Sequence, residues 1–147
     1  MMKVYLAGPV RKMEDSGKAW RDEVIDEFGG TVEILNPLDK YDFRNKDMEV
    51  VYDAEEVTDQ KIHYKDIVKN DLQMIDSADV VFVGHHDVQM IGTPMEIMYC
   101  GHEGIPVVTY DFDGVGMESM SPWMVCYSDE VIEDSLQKAV QKTLVIA

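Results

Sequence analysis

A chain of 147 residues, 46% of them hydrophobic and 29% charged, has the bulk composition of one globular domain that can bury a full core, so residues 1–147 are read as a single unit. The formal net charge of −16 repels phosphate backbones; this argues against a nucleic-acid partner but does not exclude a small uncharged nucleoside, and the acidity itself reads as solubility or adaptation to a salty cytoplasm. Cys100 and Cys126 belong to no CxxC pair and the histidines lack ligand spacing relative to them, which argues against structural zinc and fits a reducing compartment.

The opening MMKVYLAGPV holds an apolar run too short for a signal-peptide core, and no apolar stretch reaches membrane-spanning length. A soluble, cytoplasmic protein with no membrane partner is expected. Lys3–Ala7 reads as a buried strand closed by Gly8-Pro9. Trp20, Val24, Ile25 and Phe28 recur at helical spacing, and Gly29-Gly30 stops that helix. Thr31–Leu35 predicts a second strand, ended by Asn36-Pro37. The polar, acidic stretch Asp39–Gln60 shows no clear period and reads as a functional loop, with a short helix or a lid as its two forms.

Ile67, Val68, Leu72 and Ile75 predict a helix from about Ile62 to Asp76. Asp79–Gly84 is β-branched enough for a central parallel strand. Thr93–His102 reads as a helix and Val107–Tyr110 as a strand. The spacing predicts a last helix after Ser128, with Asp129 and Glu130 at its positive end and a stripe of Ile132, Leu136, Ala139 and Val140. Alternating strands and helices imply right-handed crossovers and a parallel sheet covered on both faces. Ligands bind such sheets at the carboxyl ends of the strands, so the turns at Gly8-Pro9, His85–Gly92 and Asp111–Pro122 should line one cleft.

Gly92-Thr93-Pro94-Met95-Glu96 lies between a buried strand and a helix. Gly92 permits close backbone approach or a positive φ, Pro94 suits a first helical position, and free N–H groups of Gly92 and Thr93 could hold a ligand oxygen. Thr93-x-x-Glu96 also matches a capping box, in which the glutamate turns back to its own backbone. Capping and catalysis are both open for Glu96 on this motif; on the first, Glu96→Ala would lose about 1 kcal/mol. Asp71 falls on or beside the apolar stripe of its helix, where a carboxylate needs a partner. Tyr5 is a strand tyrosine whose hydroxyl needs one too. His85 and His86 read as incidental. No Ser/His/Asp order, nucleophile elbow, dinucleotide fingerprint or P-loop occurs.

Taken together, KVYLAGP (Lys3–Pro9), Trp20-Arg21, Asn36-Pro37, IVKNDL (Ile67–Leu72), IDSADVVFV (Ile75–Val83), GTPMEIMYC (Gly92–Cys100), GIPVV (Gly104–Val108) and Ser121-Pro122-Trp123 resemble the nucleoside 2-deoxyribosyltransferase family, which also contains deoxynucleoside 5′-monophosphate N-glycosidases. The resemblance covers nearly the whole chain except Asp39–Tyr64 and the last helix. It implies a flavodoxin-like α/β fold, a doubly wound five-stranded parallel sheet with helices on both faces. It implies that Glu96 attacks C1′ of the sugar to form a glycosyl ester, that Tyr5 holds Glu96, and that Asp71 contacts the sugar or helps protonate the leaving base. The first turn, through Gly8, Pro9 and Arg11, would touch the ligand. Ser121, with Ser119 as the alternative, would complete the site of a neighbouring subunit in a homo-oligomer. No metal or organic cofactor is implied, and the partners are a nucleoside and a nucleobase.

Two departures bear on substrate. Met90 stands about where phosphate-accepting members place a serine, which favours free deoxynucleosides, and Asp87 is the nearest match to a base-reading aspartate. Competing readings are a hydrolase with water as acceptor, a non-catalytic nucleotide sensor on the same fold, and a phosphoribohydrolase with a G-T-x-x-E helix start. The last is disfavoured because Gln89-Met90-Ile91 replaces its Gly-Gly run.

Overall fold

The computed structural model describes residues 1–10, 12–40, 49–59 and 61–147. Five strands form one parallel sheet: β1 (Lys3–Ala7), β2 (Glu33–Leu35), β5 (Val80–His85), β6 (Val107–Asp111) and β7 (Glu130–Ile132), in the order β2-β1-β5-β6-β7. A separate parallel pair, β3 (Glu49–Val51) and β4 (Lys61–His63), stands between β2 and the helix before β5. Five α-helices accompany them among the described residues: α1 (Lys18–Phe28), α2 (Tyr64–Ser77), α3 (Gly92–Glu103), α4 (Pro122–Tyr127) and α5 (Leu136–Ile146). The sheet order is flavodoxin-like, with the order reversing beside β1.

Strand alternation divides the interior in two. Val4 and Leu6 of β1, with Val80 and Phe82 of β5, face α1 and α5 and pack on Trp20, Val24, Phe28, Ala139 and Val140. Tyr5 and Ala7, with Val81 and Val83, face α2, α3 and α4 and pack on Ile75, Ile97, Cys100 and Met124. Every residue of β5 is buried, as expected of a central parallel strand. Aspartates secure the strand starts: Asp79 Oδ2 accepts from Lys3 N and Asp129 Oδ2 from Val107 N, both at 2.7 Å.

The element boundaries differ most from the sequence reading at three places, and β2 also starts two residues later than expected, at Glu33. The last helix does not start after Ser128. That serine ends α4, and Glu130–Ile132 is the edge strand β7, paired with β6. Ile132 and Leu136 are four residues apart, a spacing that imitates a helix stripe, yet Glu-Val-Ile extends readily as a strand. The N-cap of α5 is Ser135, whose Oγ accepts from Lys138 N at 3.1 Å. The helix expected from Ile62 begins at Tyr64, because Lys61–His63 pairs with Glu49–Val51 and His63 caps the helix through Lys65 N. Asp39–Gln60 is not a plain loop: it carries β3 and a 3₁₀ turn at Ala54–Glu56. Residues 41–48 and 60 of that stretch lie outside the described residues.

Candidate active site

In a parallel sheet each helix that precedes a strand starts at the carboxyl ends of the strands, so the first turns of α2 and α3 open onto one side of β1 and β5. Tyr5 is at mid-strand in β1, in register with Leu35 and Val81, and is 1% exposed. Its ring packs under α2 and α3, and its hydroxyl donates to Glu96 Oε2 at 2.6 Å, a short charge-assisted bond. The sequence separation of 91 between the two partners means that only the fold brings them together.

Glu96 does not cap its own helix. The N-cap of α3 is Ile91, with no side-chain capping bond, so Pro94 is not at the first helical position. The capping reading of Thr93-x-x-Glu96 is thereby overturned: Thr93 is buried and Glu96 turns inward to Tyr5. The physical reason is competition, since a buried phenol with no other hydrogen-bond partner among the described residues offers more to a carboxylate than a solvated helix end does. Gly92 lies in the helix without a positive φ, and a Cβ there would meet open space. Neither crowding nor backbone conformation therefore requires glycine at that position.

Burial first, and then the charge of Asp71, push the Glu96 carboxyl from its ordinary 4.5 up to about 7; the Tyr5 bond and the charge of Arg21 oppose the rise. Tyr5 itself is held well above its ordinary value by burial and by Glu96. Asp71, on α2, is partly buried and acts through space on Glu96, Tyr5 and Arg21. Tyr5, Asp71 and Glu96 thus form one electrostatic group with a carboxyl that exchanges its proton near neutrality. Cys100, one turn after Glu96, is a buried thiol pushed up to about 12 by burial and is inert as a nucleophile at pH 7.

The turn after β1 is fixed from beneath. Arg21, 1% exposed, donates to the carbonyls of Gly8 at 3.2 Å, Gly17 at 3.3 Å and Pro9 at 3.5 Å, and its guanidinium lies 4.3 Å from the Trp20 ring centroid. Trp20 crosses the ends of β1 and β5: a Cβ on Gly8 would strike its ring, and one on Gly84 would come within 2.6 Å of it. Both positions therefore require glycine for packing. Sequence reading used Trp20-Arg21 only as a mark of resemblance and missed Arg21 as part of the site. The signal was present, because Arg21 precedes Val24 by three and Phe28 by seven and so lies on the buried stripe, as Asp71 does on its own.

The remaining expected residues are not joined to this group. Arg11 lies outside the described residues. Ser121 stands at the N-cap position of α4 without a side-chain capping bond, and Ser119 is exposed in a 3₁₀ turn. His85 and His86 are buried and packed. His85 Nδ1 is 4.0 Å from Asp111 Oδ1, and His86 stacks on Phe112 at 4.7 Å. Burial lowers both imidazoles below their ordinary value, so both are neutral at pH 7. Asp111 in turn accepts from Val115 N and Gly116 N and shapes the loop after β6. Among the described residues no cluster of three or more His, Cys, Asp or Glu side chains could hold a metal ion. No helix of the described residues is long and apolar enough to cross a membrane. A groove of about 560 Å³ along β7 and α5 lies among Glu130, Asp134, Lys138 and Lys142, on residues separate from the Tyr5–Glu96 pair. Its lysines are already paired with its acids.

No protein-family model and no curated protein matches this sequence. Solved structures do match it. A conserved protein from Enterococcus faecalis superposes with a TM-score of 0.70 at 16% identity, over 98% of both chains. A 2-deoxyribosyltransferase from the psychrotolerant bacterium Bacillus psychrosaccharolyticus superposes with a TM-score of 0.62 at 21% identity, over 90% of this chain and 86% of that one. At such identities the likeness is one of fold: the chain shares a parallel α/β architecture with these structures, its own sheet having five strands.

Proposed function

We propose that this chain is an enzyme, a nucleoside 2-deoxyribosyltransferase that cleaves the N-glycosidic bond of a 2′-deoxynucleoside and passes the deoxyribose to another nucleobase. The observation that carries the reading is the inward turn of Glu96 onto the Tyr5 hydroxyl at 2.6 Å, away from its own helix end. Tyr5 occupies Oε2, so Oε1 is the attacking atom. The Oε1–C1′ bond forms as the C1′–N bond breaks, and the electron pair leaves with the base nitrogen, which takes a proton from Asp71 or a water. The second base then attacks C1′ as the Oε1–C1′ bond breaks, the electron pair returns to Glu96, and the incoming base gives its N–H proton to Asp71 or the water that protonated the first base. The negative charge of Glu96 stabilises the oxocarbenium character of both transition states.

An ionised Glu96 is the attacking form, so a carboxyl near 7 keeps the nucleophile partly charged at neutral pH and basic enough to bond carbon. Gly8, Pro9, Arg11, Gly92 and Thr93 would line the sugar and base. The chain acts as a single unit in the cytoplasm, in a homo-oligomer whose neighbouring subunit contributes Ser121. Ile91, Met95 and Trp123, at 65%, 63% and 60% exposure around the outer faces of α3 and α4, support self-association on that side.

Chromatography of the purified protein with deoxyinosine, with and without adenine, tests the reading. A new deoxyadenosine peak establishes base exchange. Free hypoxanthine alone assigns water as the acceptor and makes the chain a hydrolase. If neither appears, the same assay with deoxynucleoside 5′-monophosphates decides, and binding without turnover of either class leaves a nucleotide sensor.

A further inference from the structure

Arg21 is the largest fully buried side chain described, and it is charged. Among the described residues its hydrogen bonds are to the carbonyls of Gly8, Pro9 and Gly17, and none is to a carboxylate. Asp15, the acid just before α1, uses its carboxylate on Gly17 N at 2.9 Å and Ala19 N at 2.7 Å. Burying a guanidinium against carbonyls alone is unfavourable, and packing could have been met by a methionine or leucine. The charge does have counterparts at longer range: Glu96 on α3, Asp71 on α2, the Tyr5 hydroxyl on β1 and Asp15 beside α1 all favour the cation. Burial lowers its pKa to about 10, so Arg21 remains charged throughout the neutral range.

We propose that Arg21 is a positioning residue, whose buried guanidinium ties the turn after β1 to the start of α1 and sets the field in which Glu96 ionises. This inference rests on the reading of Glu96 as the reacting carboxylate. The two parts are separable. The fork of N–H donors fixes the carbonyls of Gly8 and Pro9, and so the floor of the mouth. The charge offsets the repulsion between Glu96 and Asp71 and the desolvation of Glu96. A lysine would keep the charge without the planar fork, and a methionine would keep much of the volume without either.

The experiment is an NMR titration of ¹³C-carboxyl-labelled protein, with Glu96→Gln assigning the resonance, in wild type, Arg21→Lys and Arg21→Met. It reads Glu96 directly in the free protein, so it stands whether or not base exchange is observed. The groups that act on Glu96 are Tyr5, through its hydrogen bond, Asp71 and Arg21, through charge, and the Cys100 thiol one turn away; only Arg21 changes. Expected is an upward shift of the Glu96 midpoint for Arg21→Met and a smaller one for Arg21→Lys. In Arg21→Lys, kcat also falls while the acid limb of its pH profile stays near that of wild type. An unchanged midpoint in folded Arg21→Met overturns the proposal. If Arg21→Met does not fold, Arg21→Lys decides: wild-type kcat and midpoint together reduce Arg21 to a packing residue and overturn it.

Discussion

The two faces of the sheet are built from the same strands and differ in what they bury. The α1–α5 face is closed by aliphatic and aromatic side chains from both helices and from β1, β5, β6 and β7. The α2–α3–α4 face has an apolar floor of Val81, Val83, Ile97 and Met124, but it also holds the Tyr5 hydroxyl and, at its margin, Glu96 and Asp71. One face contributes stability and the other gives some up. A carboxyl raised towards neutrality by burial marks a place where the fold opposes its own charge. Arg21 belongs by sequence to the stable face and acts on the other, through the turn at the end of β1.

Substitutions can erase this contrast or sharpen it. The largest effect is expected from Glu96→Gln, which makes the second face resemble the first. Turnover should fall by about 10³-fold or more, as loss of a nucleophile does. Stability should move the other way. Because the folded-state carboxyl is raised from 4.5 to about 7, the native protein holds that proton more tightly than the unfolded chain. Wild-type stability therefore falls as pH rises from about 4.5 to about 7 and is flat above. Glu96→Gln lacks that loss and should exceed wild type at pH 8 by about 2 kcal/mol, a figure reduced for the residue's partial exposure, and match it near pH 4. Urea melts at the two pH values check this. Wild-type turnover in the variant would remove Glu96 as nucleophile.

Phe28→Ala tests the opposite face. Phe28 is 2% exposed and meets Phe82 edge-on with ring centroids 6.1 Å apart. A loss of about 3–5 kcal/mol is expected in denaturant melts, with kcat per folded molecule unchanged. A comparable fall in kcat would show that the two faces are not separable.

Tyr5→Phe keeps the packing and removes the donor. The Tyr5 bond lowers the Glu96 pKa, so the acid limb of kcat/KM, expected near 7 in wild type, should move upward. Activity at pH 7 should fall by about 10- to 100-fold, the worth of a hydrogen bond to a charged group. A pH–rate series on both proteins measures it. The smallest effect is expected at Ser135→Ala, which removes the cap of α5 and should lower stability by about 1 kcal/mol with activity intact.

The first strand was legible residue by residue, and the helix after it by its period and its stop. Lys3–Ala7 and the helix closed by Gly29 follow from an apolar run, a helical period and a glycine with φ of 59°. β7 was not legible from its own residues, because three residues at a sheet edge carry too little pattern to compete with a neighbouring helix stripe. β3 and β4 escaped for the same reason: each pairs with the other and with little else. Composition, periodicity and spacing determined the α/β class and the positions of Tyr5, Asp71 and Glu96 at elements that open towards the strand ends. They left Glu96 divided between a cap and a cleft, since a capping box and a buried nucleophile use the same four letters. The tertiary structure decided between them by placing the phenol of β1 against the carboxylate of α3. It also brought the charge of Arg21 within electrostatic reach of both, a relation between distant segments that no local pattern encodes.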